Sequence, residues 1–313
     1  MTDAFSHCTL CPRACGVNRY EVLGYCGQGA YARVARADLH LWEEPCLVGL
    51  HGSGTVFFTG CSLGCVYCQN ADISRRDACE GAELDEKTLA RVFLRLQEMG
   101  AANINLVTAT PYLPIIVHSV RTAREKGLTL PIVYNTSGYE TEESITLLSG
   151  VVDIYLADLK SLSPARSLRY MHAEGYPRVA TAAIAAMKRQ VGDPVFDEDG
   201  GLLRGVIVRH LVLPDGVRDA MHVLRHLAEY GDGIVVSLMS QYTPHGDLSA
   251  HPALDTRVKE NDYRALVRYA KSLGIAYLYT QKGESAKESF IPDFGDRGRG
   301  EALLSALRES SIN

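Results

Sequence analysis

Three cysteines, Cys61, Cys65 and Cys68, fall on one short stretch, GTVFFTGCSLGCVYCQN, between residues 54 and 70. The spacing C-x3-C-x2-C gathers three thiolates that can ligate three irons of a cubane cluster and leave the fourth iron open. A structural zinc site takes four protein donors, and ordinary four-cysteine clusters fill every iron. An open metal position is what catalysis needs. The plain alternatives are a zinc site completed by a distant residue and a chance grouping. With nine cysteines in 313 residues, such a triplet arises by accident about once in a hundred chains.

A second set opens the chain: Cys8-x2-Cys11-x3-Cys15-x10-Cys26, with Pro12, Gly16, Gly24 and Gly27 supplying turns. Four thiolates can close a zinc site and stabilise a segment too short for its own core. They could equally hold a second iron–sulfur cluster that relays electrons, or act as a redox-active thiol set. The spacing is not that of bacterial ferredoxins, which favours a closed metal site without choosing its metal. Cys46 and Cys79 stand apart from both sets and read as structural or incidental.

The elements that must position these residues follow from hydrophobic patterning. Residues 1–50 form a cysteine-rich segment with little sustained periodicity, read as a small metal-stapled lobe. Residues 51–313 alternate short apolar strands with helical stretches. Near-continuous apolar runs predict strands over Thr55–Thr59, Ile104–Ala109, Ile132–Ser137, Asp153–Asp158, Val206–Leu213, Ile234–Met239 and Ala276–Thr280. Between them, start and stop signals predict helices over Leu84–Met99, Pro114–Lys126, Glu142–Leu148, Gly216–Tyr230 and Asn261–Leu273. Residues 192–205 read as a turn-rich loop and 300–313 as a terminal helix. Repeated βα units imply parallel strands with right-handed crossovers. They suit an open, partial barrel or a doubly wound sheet, and either places its ligand site at the carboxyl ends of the strands. The cysteine triad follows a strand that ends at Gly60, where such a site belongs.

Bulk properties narrow the function. A net charge of −5 without long like-charge blocks gives no electrostatic argument for nucleic acid. The apolar runs are far short of a membrane span. The start MTDAFSHCTLCPRACG lacks the basic and apolar regions of a signal peptide, which predicts a cytosolic chain. Thiols stay reduced there, so clustered cysteines point to metal rather than disulfides.

The triad resembles the hallmark of the radical S-adenosylmethionine (SAM) superfamily. That resemblance implies a [4Fe–4S] cluster whose open iron is chelated by the amino and carboxylate groups of SAM. Reductive cleavage would then release a 5′-deoxyadenosyl radical that abstracts hydrogen. Tyr67 matches the aromatic position beside the adenine. Where the family carries Gly-Gly-Glu after the second strand, this chain has Val107-Thr108-Ala109-Thr110-Pro111, so Thr108 and Thr110 are expected to accept from the SAM ammonium instead. Asn135-Thr136-Ser137-Gly138 is similar to the Asp-Thr-Asn-Gly stretch of glycyl-radical activases, and Ala157-Asp158-Leu159-Lys160 matches their Asp-Leu-Lys stretch. The resemblance places Asn135, Ser137, Asp158 and Lys160 at the methionyl end of SAM, with a monovalent cation as an additional component. Arg209, inside an apolar strand, needs a partner; a SAM carboxylate or ribose and a structural carboxylate are both open to it. Of Gln241, Tyr242 and His245, Gln241 is the expected cofactor contact.

Taken as an ordered set, CTLCPRACGVNR, GYCG, LWEEPCLVG, the triad stretch, NLVTATPY, ADLKS, LMSQYTP and FIPDFG resemble the PflX-type branch, homologues of pyruvate formate-lyase activating enzyme. The fold implied is a partial (β/α)6 barrel with parallel strands and a small cysteine-rich N-terminal segment. The activity implied is hydrogen abstraction from a protein or peptide, with the glycine of a glycyl-radical enzyme as one target and a flavodoxin- or ferredoxin-type protein as reductant. Radical modification of a peptide or small metabolite is the alternative among enzymes. Outside enzymes, the alternative is an iron–sulfur electron-transfer protein.

Overall fold

The computed structural model describes residues 3–77, 80–281, 294 and 298–310. Cys79 and most of FIPDFG lie outside them. One sheet organises the chain, with strands β1 (Ala32–His40), β2 (Ser53–Phe58), β3 (Ala82–Leu84), β4 (Ile104–Val107), β5 (Ile132–Thr136), β6 (Ile154–Asp158), β7 (Val195–Phe196), β8 (Leu202–Leu211), β9 (Val235–Met239) and β10 (Tyr277–Thr280). Their order is β10-β9-β8-β6-β5-β4-β2-β1-β3, with β7 paired to β8 off that path. The strands expected from the apolar runs are those that pair in parallel, β2, β4, β5, β6, β8, β9 and β10. This is the α/β partial barrel of parallel strands, with the cysteine-rich segment at its amino end.

Helices fill the crossovers. Glu86–Glu98 begins where Asp85 Oδ1 accepts the Thr88 amide at 2.7 Å, an N-cap that satisfies one free backbone donor. Leu113–Glu125, Glu142–Leu147, Val217–Ala228 and Glu260–Ser272 lie close to their expected spans. Two helices between β6 and β8, Pro164–Met171 and Tyr176–Val191, escape the sequence reading. The second is rich in alanine, which buries against the sheet while giving little hydrophobic contrast.

Two further differences concern the edges. β1 and β3 add antiparallel strands beside β2, so the segment before residue 50 contributes to the sheet as well as carrying cysteines. Val195–Phe196 folds back on Leu202 and Arg204 inside the stretch read as a loop. A two-residue strand is too short to show alternation.

Side chains alternate across each strand, and the alternation sorts the interior. Val133, Leu156, Ile207 and Val235 pack on the lumen side with Cys46 and Leu47. Two residues further along the same strands stand Asn135, Asp158, Arg209 and Ser237, all lining one cavity. The helix-facing side holds the larger core, which includes Phe5, Cys8 and Leu10 of the N-terminal segment.

Gly60, two residues past the end of β2 and just before Cys61, has φ +87°, and a Cβ there would lie 2.3 Å from Gln28 Cγ and 2.8 Å from the Cys26 carbonyl. Both strain and collision oppose a side chain. Gly60→Ala is expected to destabilise the chain by about 1–3 kcal/mol, read as a lower thermal midpoint; an unchanged midpoint would contradict this account of the turn.

Candidate functional site

The loop after β2 delivers the triad. Cys61, Cys65 and Cys68 are each half-buried and unbridged. Backbone and side-chain donors reach two of the sulfurs: the Leu63 amide stands 3.4 Å from Cys61 Sγ and the Ser74 hydroxyl 3.2 Å from Cys68 Sγ. Burial pushes the Cys65 thiol up to about 12, against the pull of Lys160, and raises Cys68 as well. Such thiols give up their protons only to a compensating positive charge.

Cys65 and Cys68 open into a cavity of about 520 Å³ that Tyr67, Asn135, Asp158, Lys160, Arg209 and Gln241 also line. The structure therefore brings these sequence-predicted residues together. Tyr67 is buried and edge-on to Tyr170 and Tyr242, each at 6.4 Å between ring centroids. Gln241 Oε1 accepts from Gln281 Nε2 at 2.7 Å.

Charge is concentrated on one side of the cavity. Asp158 accepts from Lys160 Nζ at 2.6 Å and from Arg209 Nε at 2.9 Å. Arg209 Nη2 donates to Asn135 Oδ1 at 2.7 Å, and its Nη1 lies 3.7 Å from Glu43 Oε2. Burial alone would raise the Asp158 carboxyl, but Arg209 and Lys160 outweigh it and hold it below the ordinary range. Burial likewise opposes the charge on Lys160, and Asp158 restores it, keeping the ammonium form well above its usual range. All three groups are thus charged at neutral pH. Arg209 takes the structural carboxylate as its partner while still facing the cavity.

Other predicted residues go elsewhere. Thr108 sits at φ +61° with its amide donating to the Asn135 carbonyl at 2.9 Å, a conformation uncommon without glycine. It turns the chain away from the cavity, whose lining includes neither Thr108 nor Thr110. The Thr110 hydroxyl donates to Glu140 Oε1 at 2.6 Å in a buried cluster with Tyr134 and Thr136. Ser137 presents its carbonyl to the Tyr176 hydroxyl at 2.8 Å. Tyr242 packs on Tyr67 with its hydroxyl on the Leu254 carbonyl at 2.6 Å, and His245 does not reach the lining.

The four N-terminal cysteines share one neighbourhood, although no three of them are placed as a ready metal site among the described residues. A Cβ on Gly24 would lie 3.5 Å from Cys26 Sγ and 3.7 Å from Cys15 Sγ, and Cys15 Sγ lies 4.0 Å from the Cys8 carbonyl. Burial pushes Cys11 up to about 12 and raises Cys26, with nearby thiols adding to both. Cys15 differs: burial would raise it, but the Tyr25 and Val17 amides aimed at its sulfur lower it. Amides aimed at a sulfur also favour a metal-bound thiolate.

Residues 55–203 match the Radical SAM superfamily. The chain carries a radical SAM domain. The domain begins in β2, immediately before the triad loop, and extends into β8. An uncharacterized protein of Methanocaldococcus jannaschii is 28% identical over 285 residues, 88% of this chain and 78% of that protein. The pyruvate formate-lyase-activating enzyme of Streptococcus mutans serotype c is 27% identical over 188 residues, 56% of this chain and 64% of that enzyme, so the match leaves about a third of the enzyme unspanned. Methylornithine synthase (PylB) superposes with a TM-score of 0.50 at 14% identity, covering 80% of this chain and 78% of the other, which shows a shared fold. A radical SAM domain implies a [4Fe–4S] cluster and SAM. The donor set fits both: three thiols on one loop, and beside them a paired carboxylate and ammonium facing the same space.

Sequence reasoning missed two carboxylates that also line the cavity, Glu43 and Glu44. They stand in LWEEPCLVG, a motif recognised without a role, and nothing local in it shows that the segment reaches the lumen.

Glu140 gives a pH prediction. Burial raises its carboxyl to about 7, against the bonds from Thr110, Thr136 and Tyr134. A raised carboxyl stabilises the fold fully at pH values below its ordinary pKa and loses that contribution as pH climbs through the folded value. Thermal midpoints should therefore fall as pH rises from the ordinary carboxyl value of 4.5 to about 7 and level off above it, and Glu140→Gln should flatten that fall. A decline of equal size in the variant would assign the pH dependence to other groups.

Proposed function

We propose that this chain is a radical SAM enzyme of the PflX-type branch that abstracts hydrogen from a protein or peptide. The similarity to an activating enzyme favours the glycine of a glycyl-radical enzyme as the target. The observation that carries the reading is that Cys65 and Cys68 open into the same cavity as Asn135, Asp158, Lys160 and Arg209. An electron carrier has no use for a walled polar cavity against its cluster.

In this reading Cys61, Cys65 and Cys68 hold the cluster, and Lys160 meets the carboxylate of SAM. Asp158 keeps that ammonium charged and aimed, and Tyr67 supplies a buried aromatic wall. When bound, the cluster and SAM supply a 5′-deoxyadenosyl radical after reduction by a flavodoxin- or ferredoxin-type protein. Arg209 engages Asn135 and Asp158 together, the side chains that the resemblance associates with a monovalent cation. The proposal gives the positive charge at that point to the guanidinium. Gln241, which also lines the cavity, is a further cofactor contact in this reading.

Anaerobic reconstitution, followed by dithionite and SAM, should yield 5′-deoxyadenosine. Cys65→Ala should lower the yield at least about 100-fold and remove cluster absorbance, since one thiolate cannot be spared. Lys160→Ala should retain the cluster absorbance but weaken SAM binding by about ten-fold or more, the scale of one charge-assisted hydrogen bond. An intact cluster that never produces 5′-deoxyadenosine would favour the electron-transfer reading. A glycyl doublet in electron paramagnetic resonance, on mixing with a glycyl-radical enzyme, tests the target.

The proposal also assigns Cys8, Cys11, Cys15 and Cys26 to a closed second metal site, zinc or iron–sulfur. Metal analysis should find either zinc beside about four irons per chain or roughly twice that iron. Cys11→Ala should remove the extra metal while Cys65→Ala leaves it; a chain holding only the triad's iron would end the assignment.

A further inference from the structure

Residues 41–48, which follow β1, close the lumen from the side opposite the triad loop. The Asn103 side chain donates to the Leu47 carbonyl at 2.7 Å. Cys46 and Leu47 pack against Val133, Leu156, Ile207 and Val235, residues of β5, β6, β8 and β9. The segment thus forms a floor beneath the ring of polar side chains, and it carries Glu43 and Glu44 into the cavity that Cys65 and Cys68 enter.

The charges in that cavity do not balance. Three carboxylates line it, from Asp158, Glu43 and Glu44, against two permanent cations, Lys160 and Arg209. Asp158 already takes both cations at close range, and Glu43 reaches Arg209 only at 3.7 Å. Glu44 is buried and has no cation within 4.0 Å among the described residues; the Ser237 hydroxyl and the more distant Arg209 only partly offset its burial, which raises its carboxyl. His40 does not make up the difference, because burial and Arg36 both lower its pKa. A buried carboxylate without a counter-charge is costly.

A second observation points to a ligand. Asn105 on β4 is fully buried, and it shares the lumen face with Val107, two residues on, which lines the cavity. Burial raises the Glu43 carboxyl to about 7, against the pull of Arg209 and of the nearby Asn105 amide, yet neither Nδ2 nor Oδ1 of Asn105 completes a hydrogen bond of standard geometry. Buried amides are nearly always satisfied. An acceptor oxygen beside two carboxylates is a donor-poor environment suited to an ammonium or guanidinium group. A divalent metal ion fits less well with a guanidinium so near. Trp42, at the exposed edge of the same floor, supplies an apolar wall for the stem of such a side chain.

We propose that Glu43 and Glu44, with Asn105, form a subsite at the floor of the lumen that binds a cationic group of the substrate, an ammonium or guanidinium. The inference rests on the reading of the chain as a radical SAM enzyme acting on a protein or peptide. It says that the target presents a basic residue to the lumen.

The test uses the reconstituted holoenzyme and two probes, Nα-acetyl-lysine methylamide and its uncharged counterpart Nα-acetyl-norleucine methylamide, titrated by ligand-observed NMR. The lysine derivative is expected to bind about ten-fold or more tightly than the norleucine derivative, the scale of one buried charge contact. Glu44→Gln and Glu43→Gln/Glu44→Gln should erase that preference, with cluster absorbance verifying that each variant is folded and loaded. SAM affinity, measured in parallel, separates two sources of the same chemistry. A variant that loses SAM affinity as steeply as lysine affinity would assign the carboxylates to the ammonium of SAM and overturn the proposal. Equal binding of the two probes, or lysine binding indifferent to both variants, would overturn it too. A holoenzyme that prefers the lysine probe but forms no 5′-deoxyadenosine would sink the radical reading instead, so the two failures are distinct.

Discussion

The carboxylate of Asp158 is the point on which the site depends. Its two oxygens take Lys160 and Arg209, and Arg209 continues to Asn135 and Glu43. One carboxylate therefore ties β6 to β5, to β8 and to the floor segment. Burying so many charges costs several kcal/mol per ion unless each finds partners, and here the partners are supplied by strand register: Asp158 stands directly beside Arg209 on the neighbouring strand. Truncating Asp158 would leave the buried Lys160 without its counter-charge and Arg209 with only the longer contact to Glu43, a far larger loss than the net value of the pairs. The same rigidity serves chemistry, because dipoles and charges fixed beforehand need not reorganise when a charged ligand arrives.

Much of this was legible in the chain. The parallel strands showed as apolar runs because both faces of each are covered; Arg209 stood out as a charge inside one of them, and Asp158 and Lys160 through the resemblance of Ala157-Asp158-Leu159-Lys160 to the Asp-Leu-Lys stretch of activases. The triad was legible for another reason, since one loop supplies all its donors and no tertiary information is needed. What stayed hidden was whatever depends on contacts distant in sequence. Thr110 and Glu140 are thirty residues apart, and their hydrogen bond removes Thr110 from the cavity. Thr108 is expected to accept from an ammonium, but no local signal announces its left-handed backbone, which leaves it off the cavity lining. Nothing local in LWEEPCLVG gives Glu43 and Glu44 a place, and only the path of residues 41–48 across the sheet makes them interior.

The N-terminal segment shows the same dependence on distant contacts. Arg13, between two of its cysteines, donates to the Ser62 carbonyl at 2.8 Å and to the His172 carbonyl at 2.7 Å, with its guanidinium 4.2 Å from the Tyr25 ring centroid. Arg19 is buried, donates to the carbonyls of Pro111 and Gly29, and lies 3.9 Å from Cys8 Sγ. One arginine thus grips the loop that carries Cys61, and the other grips the turn after β4. Both connections run through backbone carbonyls, which cannot move without moving the loops themselves. Phe5, Cys8 and Leu10 belong to the same core as the barrel helices, so the segment is packed onto the barrel as well as bonded to it. A metal that fixed the four thiols would hold Arg13 and Arg19 in place, and with them the loop on which the triad depends. The two cysteine sets are coupled mechanically by these contacts, whether or not electrons ever pass between them.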